Sequence, residues 1–108
     1  MSLSTHVLDT TRGEPAAGVL VRLDRRDGDG WTAIASGHTD EDGRLRDFVP
    51  GEVWGEGVYR LVFDTAAHLG QEAFFPEVAI AFRVADPDRH LHVPLLLSPF
   101  GFTTYRGS

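Results

Sequence analysis

Two histidines two residues apart, an arginine behind a tight turn, a third histidine near the N-terminus and a Tyr105-Arg106-Gly107-Ser108 tail are the groups that could do chemistry here. His90 and His92 share one face of any strand that contains them, because side chains alternate across a strand. An imidazole titrates near neutral pH and can serve as general base, general acid or metal ligand. A metal on His90 and His92 needs a third ligand, for which His6 or His38 is available. However, an HxH pair alone is a weak metal signal, and no carboxylate or cysteine stands at a supporting spacing. Structural or acid–base duty for these imidazoles outweighs metal binding. Arg44 follows Asp42-Gly43; its guanidinium is a rigid fork of donors suited to carbonyl and carboxylate oxygens, although an arginine after a turn is ordinarily just solvated. Arg46 shares its face, with Glu41 and Asp47 at hand as ion-pair partners. Tyr105 and Arg106 have packing and ion pairing as their simpler roles. Ser108 has no G-x-S-x-G elbow around it, so a serine-hydrolase nucleophile is not signalled. His38 and His68 lie beside turn and helix signals and read as surface residues.

The tail is unusual for a chain end, where order normally runs out. Leu91 to Ser98, the turn Ser98-Pro99-Phe100-Gly101 and Phe102-Thr103-Thr104 form a hairpin that feeds straight into Tyr105. With no polar spacer between them, the tail is expected to be pinned.

Composition narrows the chemistry. The 108 residues carry a net charge of -6 and no Cys. Acidity argues against nucleic acid as a partner, since phosphate neutralisation needs a cationic face. Without Cys there are no disulfides, thiolate nucleophiles or Cys-ligated zinc. All ten basic residues are Arg, which removes Schiff-base lysines and the P-loop lysine. There is no apolar run of about 18 residues to cross a membrane and no secretory signal pattern. The expectation is one domain, residues 1–108, in the cytoplasm, with a core close to the minimum such a length supports.

Several short elements must position these groups. In Val19 to Leu23 the apolar residues 19, 21 and 23 alternate, with Arg22 outward. Asp27-Gly28-Asp29-Gly30 is a tight-hairpin signal before Trp31 to Ser36. Asp40-Glu41-Asp42-Gly43 turns into a strand over 44–49, and Val58 to Phe63 is rich in β-branched and aromatic residues. Val78, Ile80, Phe82 and Val84 give the cleanest period of two. Asp64 to Gly70 reads as one short helix. With Ser4 to Leu8 and His90 to Ser98, about eight strands predict an all-β sandwich or barrel. If Leu91, Val93, Leu95 and Leu97 face the core, then His90, His92, Pro94, Leu96 and Ser98 share the opposite face. A leucine there predicts that another subunit covers it.

Four segments, taken in order, resemble one family. They are Leu3-Ser4-Thr5-His6-Val7-Leu8-Asp9-Thr10 with the following Gly13 to Val19, Asp40-Glu41-Asp42-Gly43-Arg44, Phe74-Phe75-Pro76-Glu77, and His90 through Ser108. Together they resemble the 5-hydroxyisourate hydrolases, transthyretin-related proteins of purine degradation. The resemblance implies a transthyretin- or prealbumin-like β-sandwich of two four-stranded sheets with one short helix. It implies a homotetramer with active sites at the dimer–dimer interface, a small purine-derived substrate, and no metal or organic cofactor. It places His6, Arg44, His92 and Ser108 on catalytic positions, His6, Arg44 and Tyr105 on substrate-holding ones, and His90 in a supporting role. Leu91 and Phe102 depart from the family pattern, where Tyr is usual. On such a substrate His92, networked with Ser108, would activate water, Arg44 would stabilise negative charge, and His6 would position the ring or pass a proton. The competing readings are a transthyretin-like small-ligand carrier without activity, which has no need of this acid–base set, and a structural sandwich module.

Overall fold

The computed structural model describes residues 2–108, and alternating apolar side chains fold them into two facing sheets. The elements run β1 (Leu3–Asp9), β2 (Glu14–Pro15), β3 (Leu20–Asp27), β4 (Gly30–His38), β5 (Arg44–Arg46), β6 (Gly57–Phe63), α1 (Ala66–Leu69), β7 (Val78–Val84), β8 (Leu91–Leu97) and β9 (Phe102–Thr104). One sheet has the order β4-β3-β6-β7. The other has β2-β1-β8-β9, with β5 also on β1. Because β2 pairs with Leu8 and Asp9 while β5 pairs with Ser4 to His6, the two short strands share one edge of β1. Each sheet is therefore four strands wide, as the sequence led us to expect.

The predicted alternation is realised on β8: Leu91, Val93, Leu95 and Leu97 are buried while His92 and Leu96 are half-exposed. These leucines and valines, with Leu3 and Val7 of β1, pack against Val21, Leu23, Leu61, Phe63, Val78 and Val84 of the other sheet. Each large apolar side chain so buried contributes roughly 1.5–3 kcal/mol, which makes this layer the main driving force for folding. Pro94, assigned to the outer face with His92 and Leu96, is nonetheless buried. The hairpin at Asp27 and Gly30 forms as read, with Gly28 supplying the positive φ of 61° that a two-residue turn requires.

Three expectations need correction. β5 ends at Arg46 rather than Val49, because Asp47 takes a φ of 57° and leaves the extended region. The helix is only four residues and gives way to a 3-10 turn over Gly70–Glu72. His68, read as a surface residue, is half-buried and lies 2.9 Å from the carboxylate of buried Asp9 at the end of β1. His38 is exposed, as expected.

Asp9 ties the end of β1 to α1 and to the loop behind it. Burial pushes its pKa up, but the bonds from His68 and from the backbone amides of Arg12 and Thr11 outweigh this and hold it below 3.8. A carboxylate depressed in the folded state contributes stability that is full above its unfolded pKa and is lost as pH falls through the folded one. Urea midpoints should therefore drop as pH falls below 3.8. Asp9→Asn should be less stable than wild type at pH 7 and lose less across that acidic interval. Parallel slopes for the two proteins would show that Asp9 does not carry the effect.

Candidate active site

The outer face of the β1–β8 sheet is assembled by register. β1 runs parallel to β8, which sets Ser4 abreast of His92 and His6 abreast of Pro94. On its other side β1 runs antiparallel to β5, which sets Ser4 against Arg46 and His6 against Arg44. Two rows therefore cross the sheet, Arg46-Ser4-His92 and Arg44-His6-Pro94, and paired side chains in such ladders lie roughly 4.5–5.5 Å apart at Cβ.

The Asp40–Arg44 turn is fastened to this face. Asp40 Oδ1 accepts the amides of Asp42 and Arg44 at 2.8 and 3.0 Å, and the Asp40 N–H bonds the Arg44 carbonyl at 2.8 Å. Gly43 has a φ of 75°, and a Cβ there would lie 2.4 Å from the Val7 carbonyl oxygen. Only glycine serves both demands. Its own carbonyl accepts the Val7 amide at 2.7 Å, so the turn cannot slide along β1. His6 Nε2 lies 2.8 Å from the Asp42 carbonyl. Since a carbonyl only accepts, His6 carries its proton on Nε2 and, when neutral, keeps Nδ1 bare.

His92 is held from two sides. Its Nδ1 is 2.8 Å from Ser4 Oγ, and the Nε2 of His90 is 2.9 Å from that same oxygen. Its backbone carbonyl accepts the Gly107 amide at 2.8 Å, in a bridge that keeps the register by which Leu95 faces Thr104. The tail is thus a continuation of β9, pinned as anticipated. A Cβ on residue 107 would lie 2.5 Å from His92 Cδ2, so glycine is what lets the tail lie against the imidazole.

A cavity of about 220 Å³ opens on this face, lined by Ser4, Arg44, Arg46, His90, His92 and Ser108 together with Thr5. Burial and the positive charge of Arg44, aided by His6 and His90, push the His92 imidazole below 6.5 against the opposing effect of a hydrogen bond to the Ser4 backbone. At neutral pH it therefore holds a lone pair. Among the described residues no carboxylate forms an ion pair with Arg44 or Arg46, so the partnerships of Arg46 with Glu41 and Asp47 do not form. No three His, Cys, Asp or Glu side chains among the described residues are gathered as a metal would need. His6 stands one row from the cavity, beside Arg44. Tyr105 is 57% exposed and lines a second cavity of about 270 Å³, with Phe82, Leu91 and Arg106, whose shared wall is His92. Of the two family departures, Leu91 is buried in the core and Phe102 meets the edge of Phe75 at 5.4 Å.

Sequence reasoning overlooked Ser4 and Arg46 as cavity residues. The signal for Ser4 was present in its spacing of two from His6, but nothing local shows that β1 pairs in parallel with a strand 88 positions away.

A two-sheet sandwich with an imidazole–guanidinium–hydroxyl site on the outer face of one sheet defines a transthyretin-type fold equipped for acid–base chemistry. The chain belongs to the HIUase/Transthyretin family, whose model matches residues 3–107. It is 47% identical to a 5-hydroxyisourate hydrolase of Caulobacter vibrioides over 98% of this chain and 97% of that protein. It is 41% identical to one of Mus musculus over 98% of this chain and 94% of that one. Its fold matches sea bream transthyretin in complex with thyroxine with a TM-score of 0.91 at 34% identity, covering 99% of this chain and 95% of that one.

Gly107→Ala should lift the tail from His92. The amide at 107, protected by its bond to the His92 carbonyl, should then exchange with solvent about tenfold faster or more. Gly101→Ala should have no such effect, because a Cβ there meets nothing closer than 3.9 Å. Unchanged protection in Gly107→Ala would refute the packing argument.

Proposed function

We propose that this chain, acting as a single domain over residues 1–108, hydrolyses 5-hydroxyisourate to 2-oxo-4-hydroxy-4-carboxy-5-ureidoimidazoline in urate degradation. The observation that carries the reading is that the His92 imidazole, its pKa lowered by burial and by Arg44, shares one small cavity with the Arg44 guanidinium and Ser108. The names of the Caulobacter vibrioides and Mus musculus relatives, both 5-hydroxyisourate hydrolases matched over nearly the full length of this chain, point the same way.

The substrate is a planar ring bearing several carbonyls. Arg44 aims a fork of donors at those oxygens and stabilises the oxyanion that forms when water adds at C6. His92 takes one proton from the attacking water, with Ser108 holding that water in place. The C6–N1 bond then breaks, N1 receives a proton by way of His92 or His6, and C6 becomes a carboxyl group. His6 orients the ring from beside Arg44, Tyr105 holds the substrate from the neighbouring cavity, and His90 supports His92. Base, electrophile and water complete this reaction, so no metal or organic cofactor takes part.

The chain works as a homotetramer in the cytoplasm, with its sites at the dimer–dimer interface. Supporting the assembly, Phe74 and Phe100 are 68% and 78% exposed and, with Phe75 and Phe102, form an aromatic surface that open water disfavours. A thyroxine-type carrier role, suggested by the sea bream structure, leaves the proton-accepting His92 and its tether without a task.

Turnover is tested by generating 5-hydroxyisourate from urate with uricase and following its ultraviolet decay. The protein should accelerate that decay, and a rate equal to spontaneous hydrolysis would end the hydrolase reading. His92→Ala and Arg44→Ala should each lower kcat/KM about a hundredfold or more while the tetramer survives on a sizing column. Deleting residues 105–108 should do the same. Because the imidazole of His92 is the base and is depressed, kcat/KM should fall on acidification with a midpoint below 6.5. A midpoint above that value would assign the base elsewhere.

A further inference from the structure

Ser4 Oγ lies within hydrogen-bond distance of both members of the HxH pair, His92 Nδ1 at 2.8 Å and His90 Nε2 at 2.9 Å. A serine hydroxyl has a single hydrogen to donate and two lone pairs to accept with. At most one of the two facing nitrogens can accept that hydrogen, and the other must itself bear a proton in order to bond. The guanidiniums that line the cavity with His92, Arg44 and Arg46, offer only donors. A bare ring nitrogen is favoured there over an N–H. From this we infer that Ser4 is a positioning residue: it accepts from His92 Nδ1–H and donates to His90 Nε2, holding His92 in the tautomer whose Nε2 is the base.

The inference rests on the hydrolase reading for its consequence and on the geometry for its content. When His92 Nε2 takes a proton from water, Nδ1–H passes to Ser4 Oγ as the Oγ hydrogen passes to His90 Nε2. The reverse shift returns both protons when Nε2 gives its own to the departing ring nitrogen. No atom or charge is left over, and the positive charge spends the interval on exposed His90 rather than beside Arg44. The other titratable or charged groups lining the two cavities against His92 are Arg44 and Arg46 from β5, Arg83 from β7, and Tyr105 and Arg106 from the tail. His6 of β1 adds its charge from the next row. None of these is hydrogen-bonded to His92 Nδ1 among the described residues.

The 15N shifts of the His92 ring decide the tautomer in the wild-type protein, with or without activity. The expected result at neutral pH is an Nδ1–H, Nε2-bare ring, turning to a mixture in Ser4→Ala. In the uricase-coupled assay Ser4→Ala should lose about tenfold or more in kcat, a fraction of the roughly 10²–10⁴ that a general base supplies. KM should hold and the acidic limb of the pH profile should move. Ser4→Thr, which keeps the hydroxyl, should recover most of the rate, and His90→Ala should lose several-fold while keeping the His92 tautomer. A wild-type ring protonated on Nε2, or a Ser4→Ala protein with unchanged tautomer, kcat and pH profile, would overturn the assignment. A wild-type protein with the expected tautomer but no turnover would instead strike at the hydrolase reading alone.

Discussion

The parallel pairing of β1 with β8 is the contact on which the rest depends. It spans nearly the whole chain, from Leu3 against Leu91 to Asp9 against Leu97. A parallel ladder cannot be closed by a hairpin and needs a long crossover, here everything from β2 through β7. Once made, it does two things at once. Its inner side buries Leu3, Val7, Leu91, Val93, Leu95 and Leu97 in the core, and its outer side sets Ser4 beside His92. A slip of one residue would reverse both faces together. Core and site are therefore two readings of one register.

The two flanks of that ladder are secured by different means. On one side the Asp40–Arg44 turn is clamped by the Asp40 carboxylate and by Gly43 lying under the Val7 carbonyl. On the other the chain turns at Ser98–Gly101 and lays β9 and the tail along β8 as far as Gly107. Arg44 arrives from the first flank and Ser108 from the second. Neither comes from a helix or a deep cleft; both are delivered by short backbone segments whose freedom has been removed by hydrogen bonds and a glycine.

Much of the fold was legible because it follows from period and punctuation. The alternation on β8 and the Asp27–Gly30 hairpin were visible in local spacing, and both are found. β5 was read too long because the positive φ of Asp47 leaves no mark in composition. β2 went unnoticed since two residues cannot show a period. His68 was misread for another reason: its partner Asp9 lies 59 positions away, and a histidine beside a helix gives no hint of it. The site divides along the same line. His6, Arg44, His92, Tyr105 and Ser108 came from a family resemblance, and the cavity gathers Arg44, His90, His92 and Ser108 while His6 and Tyr105 flank it. Ser4 needed the long-range register to be seen at all.

That register also bears on how the molecule comes into being. During synthesis β1 emerges first and can pair early only with the short β2 and β5 on one edge, while the edge that β8 covers stays open until residues 91–97 have followed. A topology so dominated by distant contacts folds slowly, since loop-closure entropy must be met before the pairing rewards it. The β3–β4 and β6–β7 hairpins can form early and locally, whereas the strand bearing Ser4 and His6 waits with an open edge. The outer face that bears Ser4, His6 and His92 is therefore completed only when β8 docks against β1.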